Sequence, residues 1–152
     1  MTAPLLRIEQ VVPHRGAMLF VDRLLSCDAD NVVVEADVRS DHLFADDLGV
    51  PAWVGIEYMA QAIAAWAGHE ALQRGESVTL GFLLGTRRYE CTRPHFAFGT
   101  TLRIEAHREI FGDNGVGMFS CRILDGAEEI AKANVSVFEP RNPGAFLEGH
   151  AP

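Results

Sequence analysis

Between Glu57 and His69 the chain carries no charge: EYMAQAIAAWAGH has one strongly polar residue inside it, Gln61. Six alanines fall between Glu57 and Leu72, and no proline follows Pro51 in this stretch. That composition favours a helix by propensity, starting near Gly55. A surface helix shows a polar face; this one is apolar nearly all round, which predicts a helix buried on every side. Glu57 sits in its first turn and Gln61 one turn on, along the same face. A carboxylate on a buried helix costs free energy unless it is paired or neutral, so Glu57 is the first candidate for chemistry.

The rest of the chain reads as strands around that helix. Residues 5–12 suggest an extended or one-turn helical lead-in, broken by Pro13-His14-Arg15-Gly16. Residues 18–25 and 32–39 are strand candidates, and the acidic stretch 40–49 is a loop feeding the helix. Gly75 is a stop signal behind it. Residues 79–91 hold Gly81 and Gly85 and predict a bent or bulged strand. In 100–111, Leu102, Ile104 and Ala106 alternate with Arg103, Glu105 and His107, a period of two. Gly112-Asp113-Asn114-Gly115 predicts a hairpin turn into 116–124, and Asp125-Gly126 a second turn into 129–138. The expected layout is α+β: one long buried helix wrapped by an antiparallel sheet of five to six strands, the last four forming a meander. Residues 1–140 form one domain on this reading, and 141–152, with prolines and glycines, a loose tail. A sheet wrapped on one helix leaves an edge open, so a dimer is the expected completion.

At 152 residues with 48% apolar and 22% charged composition, the chain has the make-up of a globular domain. A net charge of -8 and the lack of any Lys/Arg run argue against nucleic acid as a partner. No uncharged apolar run reaches the ~20 residues that span a bilayer, and the first ten residues lack the pattern of a signal peptide. Cys27, Cys91 and Cys121 are odd in number and widely spaced, as expected of reduced cysteines in a cytoplasmic protein with no metal site.

Three stretches carry a family likeness: PHRGAMLFVDRL, IEYMAQA and GTRRYECTRPHFAFGTTL. They resemble the hotdog-fold 3-hydroxyacyl-acyl-carrier-protein dehydratases of bacterial fatty-acid synthesis (the FabZ group). VPAWVGIEYMAQAIAAW is more specifically similar to the ApeP-like branch associated with aryl polyene synthesis. The likeness runs from about residue 8 to 140. It implies a hotdog fold, a homodimer or a heterodimer with another hotdog protein, and an acyl-phosphopantetheine tunnel at the subunit interface. The cofactor expectation is none beyond the phosphopantetheine that carries the substrate.

The family's catalytic Glu falls on Glu57. Its catalytic His lies in a GHFPG motif ahead of the helix, where this chain has ADDLG, with Asp47 near the matching place. Eliminating water from a 3-hydroxyacyl thioester needs a base for the C2 proton and an acid for the leaving hydroxyl, each worth roughly 10²–10⁴-fold. A desolvated Glu57 would hold a proton and serve as the acid. His14, in a turn that lines the tunnel of the resembling enzymes, is the first choice of base; the alternative is structural packing. His42 and Asp47 are further candidates from the loop. The resemblance puts Gly85 at the strand glycine whose N–H faces the thioester, and N–H groups near Gly55 add to that field. Gln61 orients Glu57 or bonds backbone across the interface, and Trp53 and Phe82 line the core or tunnel. Arg87, Arg88 and Arg93 are expected around the tunnel mouth, as a basic patch for an acidic acyl carrier protein; the alternative is surface pairs of little energetic weight. The activity expected is 3-hydroxyacyl dehydration. The rivals are a non-catalytic acyl-binding subunit of a heteromeric dehydratase and a hotdog thioesterase using Glu57 or Asp47 to activate water.

Overall fold

A computed structural model describes residues 6–78 and 81–139. A one-turn helix α1 (Ile8–Val11) leads through a 3₁₀ turn (Gly16–Met18) to strands β1 (Arg23–Cys27) and β2 (Asn31–Asp37). A two-residue strand β3 (Val50–Pro51) and a second 3₁₀ turn (Ala52–Val54) then open the central helix α2 (Gly55–Gln73). Strands β4 (Phe82–Cys91), β5 (His95–Phe96), β6 (Thr101–Phe111), β7 (Val116–Asp125) and β8 (Glu128–Phe138) complete the order.

Period-two patterning builds the sheet. Val34 pairs with Ile104, Ile104 with Ile123 and Ile123 with Ala131, an apolar row across four strands. All four are buried, while the alternate residues Glu105 and Arg122 form an ion pair on the outer face. A side chain the size of Val or Ile gains roughly 1.5–3 kcal/mol on burial, so a one-residue slip of β6 would forfeit several such terms at once. Helix α2 lies on this inner face, with Tyr58, Met59, Ala62 and Ala65 sealed from solvent. It ends where Gly75 takes φ +73°, a backbone setting L side chains resist.

The sheet is antiparallel with order β1-β2-β6-β7-β8-β4. The expected four-strand meander is therefore only three strands long, β6-β7-β8. Strand β4 crosses over to pair with β8, with register shifts at Leu83/Gly85 and Arg87/Glu90. The bend expected of this strand is thus two bulges, and Arg88 sits in the second at φ +56°. The expected strand over 18–25 begins only at Arg23, because the backbone of Met18 and Phe20 is bonded by the Gln61 side chain instead of by a ladder. The tail expected over 141–152 and the start of the strand at 79–80 lie outside the described residues. No helix among the described residues is long and apolar enough to cross a membrane.

Candidate functional site

Helix α2 is not enclosed on every side, as its composition predicts. Glu57, Ala60, Ala64 and Ala67 recur at helical spacing along one face, each half-buried in the chain taken singly. With Pro13, His14, Ile63 and Trp66 they line a mostly apolar groove of about 140 Å³, whose other wall is Gly81, Phe82, Leu83, Phe111, Val137, Phe138 and Glu139. The apolar composition of this face has a different reason from the rest of the helix: it faces a cavity, not the core.

Two ionisable groups meet in the groove. His14 Nε2 stands 3.7 Å from Glu57 Oε1, with the side chains 27% and 34% exposed. Glu57 is thus partly open, where the buried-helix pattern predicts a carboxyl shut away from water. His14 Nδ1 is buried with no hydrogen-bond partner among the described residues. Gln61 holds this arrangement together. Its Nε2 donates to Glu57 Oε1 (3.1 Å) and to the Met18 carbonyl (2.8 Å), and its Oε1 accepts from the Phe20 N–H (2.8 Å). It is the one amide or charged side chain fully buried among the described residues, and each bond it makes replaces one that water can no longer supply. The bond to Glu57 is the first of the two roles expected of it; the backbone it bonds belongs to its own chain, not to one across an interface.

Arg15 carries weight that sequence reasoning misses. Its guanidinium donates to the carbonyls of Glu9 (2.6 Å), Val12 (2.5 Å) and His14 (2.7 Å), clamping the turn that aims His14. The only signal was its place in Pro-His-Arg-Gly, which reads as a turn. Tyr89 is a second: its O–H donates to the Ala52 carbonyl, and a Cβ on Gly55 would stand 2.1 Å from that hydroxyl oxygen. Gly55 therefore makes room for the phenol at the helix start, and its own N–H bonds the carbonyls of Ala52 and Trp53. The expected free donor at Gly55 is occupied.

The other predicted site residues lie elsewhere. His42 packs on Phe20 at 4.3 Å between ring centroids, with Nε2 buried and unpartnered among the described residues. Burial holds its pKa below the ordinary 6.5, against a smaller opposing pull from Asp41. Asp47 is exposed and outside the groove; its neighbour Asp46 is the organised acid, accepting from the Leu48 and Gly49 N–H groups and meeting His95 Nε2 at 2.8 Å. Trp53 is 57% exposed and stacks edge-on with Phe44. Gly85 sits at the first bulge of β4, while Gly81, Phe82 and Leu83 are the residues of that stretch that reach the groove. Arg93 is engaged by Asp125 (2.7 Å) and Glu128 (2.9 Å), which removes it from the expected free patch; Arg87 and Arg88 are exposed on β4.

A larger hollow of about 560 Å³ lies on the outer sheet face, where Arg122 pairs with Glu105 and Lys132 with Glu90, and Arg88 also lines it. Cys27 and Cys121 are both pushed up to about 12 by burial, so they are thiols at neutral pH. Cys27, His69 and Glu70 place donor atoms within 4.8 Å of one another, the one such trio among the described residues, and none of the three lines the groove.

The comparisons with known proteins return the same hotdog layout. A family model described as ApeP-like, ApeP dehydratase, matches residues 6–148. The chain belongs to the ApeP-like family. Its structure is similar to that of the dehydratase heterocomplex ApeI:P from Xenorhabdus doucetiae, with TM-score 0.87 and 25% identity over 97% of this chain and 100% of that one. It is also similar in fold to the PaaI protein of the phenylacetic acid degradation operon of E. coli, with TM-score 0.59 and 17% identity over 76% and 81% of the two chains. A hypothetical thioesterase with coenzyme A from Streptococcus pneumoniae gives TM-score 0.60 and 12% identity over 76% and 83%. No curated protein matches in sequence. The family supports a dehydratase-like activity, and the more distant structures support the fold.

Proposed function

We propose that this ApeP-like protein eliminates water from a 3-hydroxyacyl thioester whose acyl chain lies in the groove along α2. The observation that carries this reading is the meeting of His14 and Glu57, 3.7 Å apart, at a mostly apolar groove. His14 takes the C2 proton, the C2–H electron pair becomes the new C2–C3 π bond, and the C3–O bond breaks as Glu57 delivers its proton to the leaving hydroxyl. Water departs, and the proton on His14 returns to Glu57 across the gap between them, restoring both groups. Gln61 fixes the Glu57 oxygen in place, so little of the barrier is spent on orientation.

The thioester is carried on the phosphopantetheine of an acyl carrier protein, which the exposed Arg87 and Arg88 suit as partners for an acidic surface. A second hotdog subunit covers the groove. Support comes from the open edge of β4, where Phe82, Leu83 and Leu84 are all exposed, and from the heterocomplex to which the similar chain belongs.

Mass spectrometry of the protein incubated with a 3-hydroxyacyl carrier substrate, with and without a companion hotdog subunit, tests this. An enoyl product is expected, and Glu57→Gln should lower its rate by roughly 10²–10⁴-fold while leaving the melting curve in place. Free acid in place of enoyl product would make the chain a thioesterase. Equal turnover by Glu57→Gln would remove the assignment.

A further inference from the structure

The groove has a floor and an end, and both are built in ways that bear on what fits. The floor is Ala60, Ala64 and Ala67, side chains that stop at Cβ. From Glu57 to Ala67 the helix advances about 15 Å at 1.5 Å per residue. At the far end stand Trp66 and Phe111, with ring centroids 5.4 Å apart.

Trp66 is held from several directions. Its indole N–H donates to the Ala29 carbonyl at 3.1 Å, and its ring meets Phe119 edge-on at 5.1 Å. The Arg108 guanidinium lies 5.8 Å above the ring and is itself paired with Asp30 at 2.8 Å. Phe111 is seated on a strand position kept bare for it: a Cβ on Gly117 would lie 2.7 Å from the Phe111 ring. A wall this restrained does not yield to a ligand pressing on it.

We infer that Trp66 and Phe111 form a fixed stop, and the alanine row a graded floor, that together set the maximum length of acyl chain the groove accepts. This rests on the acyl-groove reading above. The reacting carbons lie at Glu57 and His14, so the tail points along α2 toward the aromatic pair. Bulk added at Ala67 then shortens the accommodated chain, and removal of the Phe111 ring lengthens it.

The test is the ratio of kcat/KM for long against short 3-hydroxyacyl substrates, in a series graded by chain length, for the native protein, Ala67→Leu and Phe111→Ala. Leucine suits a helix nearly as well as alanine, so Ala67→Leu reads the groove even where Phe111→Ala fails to fold. The ratio should fall about tenfold or more in Ala67→Leu and rise by a similar factor in Phe111→Ala, the scale of a few methylenes gained or lost in an apolar pocket. A uniform change at all lengths, or none, overturns the inference. Displacement of a fluorescent conjugated fatty acid by fatty acids of graded length gives a second readout that needs no turnover. A length limit that moves in these directions without any dehydration would sink the reaction and keep the stop. Dehydration with an unmoved limit would do the reverse.

Discussion

Helix α2 presents two alanine-rich faces of nearly the same composition, and they do opposite things. On one, Ala62 and Ala65 are sealed beside Tyr58 and Met59, and their small size lets the sheet come close. On the other, Ala60, Ala64 and Ala67 stay half-buried beneath an open groove, and their small size leaves room for something the chain itself does not provide. A missing side chain either invites the fold's own atoms or reserves space for a ligand. What separates the two faces is the company they keep: Glu57 and His14 stand on the second and not on the first.

The contrast is sharpest in stability. Met59→Ala, on the sealed face, should cost about 2–5 kcal/mol in denaturant unfolding. Ala64→Ser, on the groove face, should stay within roughly 0.5 kcal/mol. Equal losses at the two positions would show that the groove face is packed core after all.

Gln61 lies between the faces and bears on both. Gln61→Leu leaves the Phe20 N–H and the Met18 carbonyl without their partner, so about 2 kcal/mol of stability should go, and turnover should fall with it as Glu57 loses its tether. Lost turnover with an unmoved unfolding midpoint would mean that Gln61 acts on the substrate itself.

The smallest effect expected comes from His42, which burial holds below its ordinary pKa. The unfolded chain then binds a proton before the folded one does, so stability is full above pH 6.5 and declines as the pH drops through the lowered value. Phe20, Phe44 and Tyr58 face the ring, and Asp41 is the charged neighbour that opposes the shift. His42→Phe should flatten that acid slope in melting temperatures measured between pH 7 and 5; a slope unchanged by the substitution would assign it to other groups.

Much of this was readable in the residues. The helix from Gly55, the strand over β6 and the two hairpins behind it follow from periodicity and turn chemistry, which are local. The crossing of β4 to β8 was not, because nothing in either strand's own pattern names its neighbour. The same holds at the site. Glu57, His14 and Gln61 stood out by residue type against an apolar background, whereas the partners of Arg93 lie 32 and 35 positions away and are visible only once β7 and β8 are folded. Asp46 and Asp47 differ by one position and share a chemistry; only the backbone of the loop decides which carboxylate is put to use.

The phenol of Tyr89 ties the outermost strand to the start of the central helix. Tyr89 belongs to β4, yet it grips the carbonyl of Ala52, three residues ahead of the helix start and five ahead of Glu57. The backbone that opens the helix, and with it the position of Glu57, is therefore held from the far side of the sheet order, by a strand that comes after the helix in the chain.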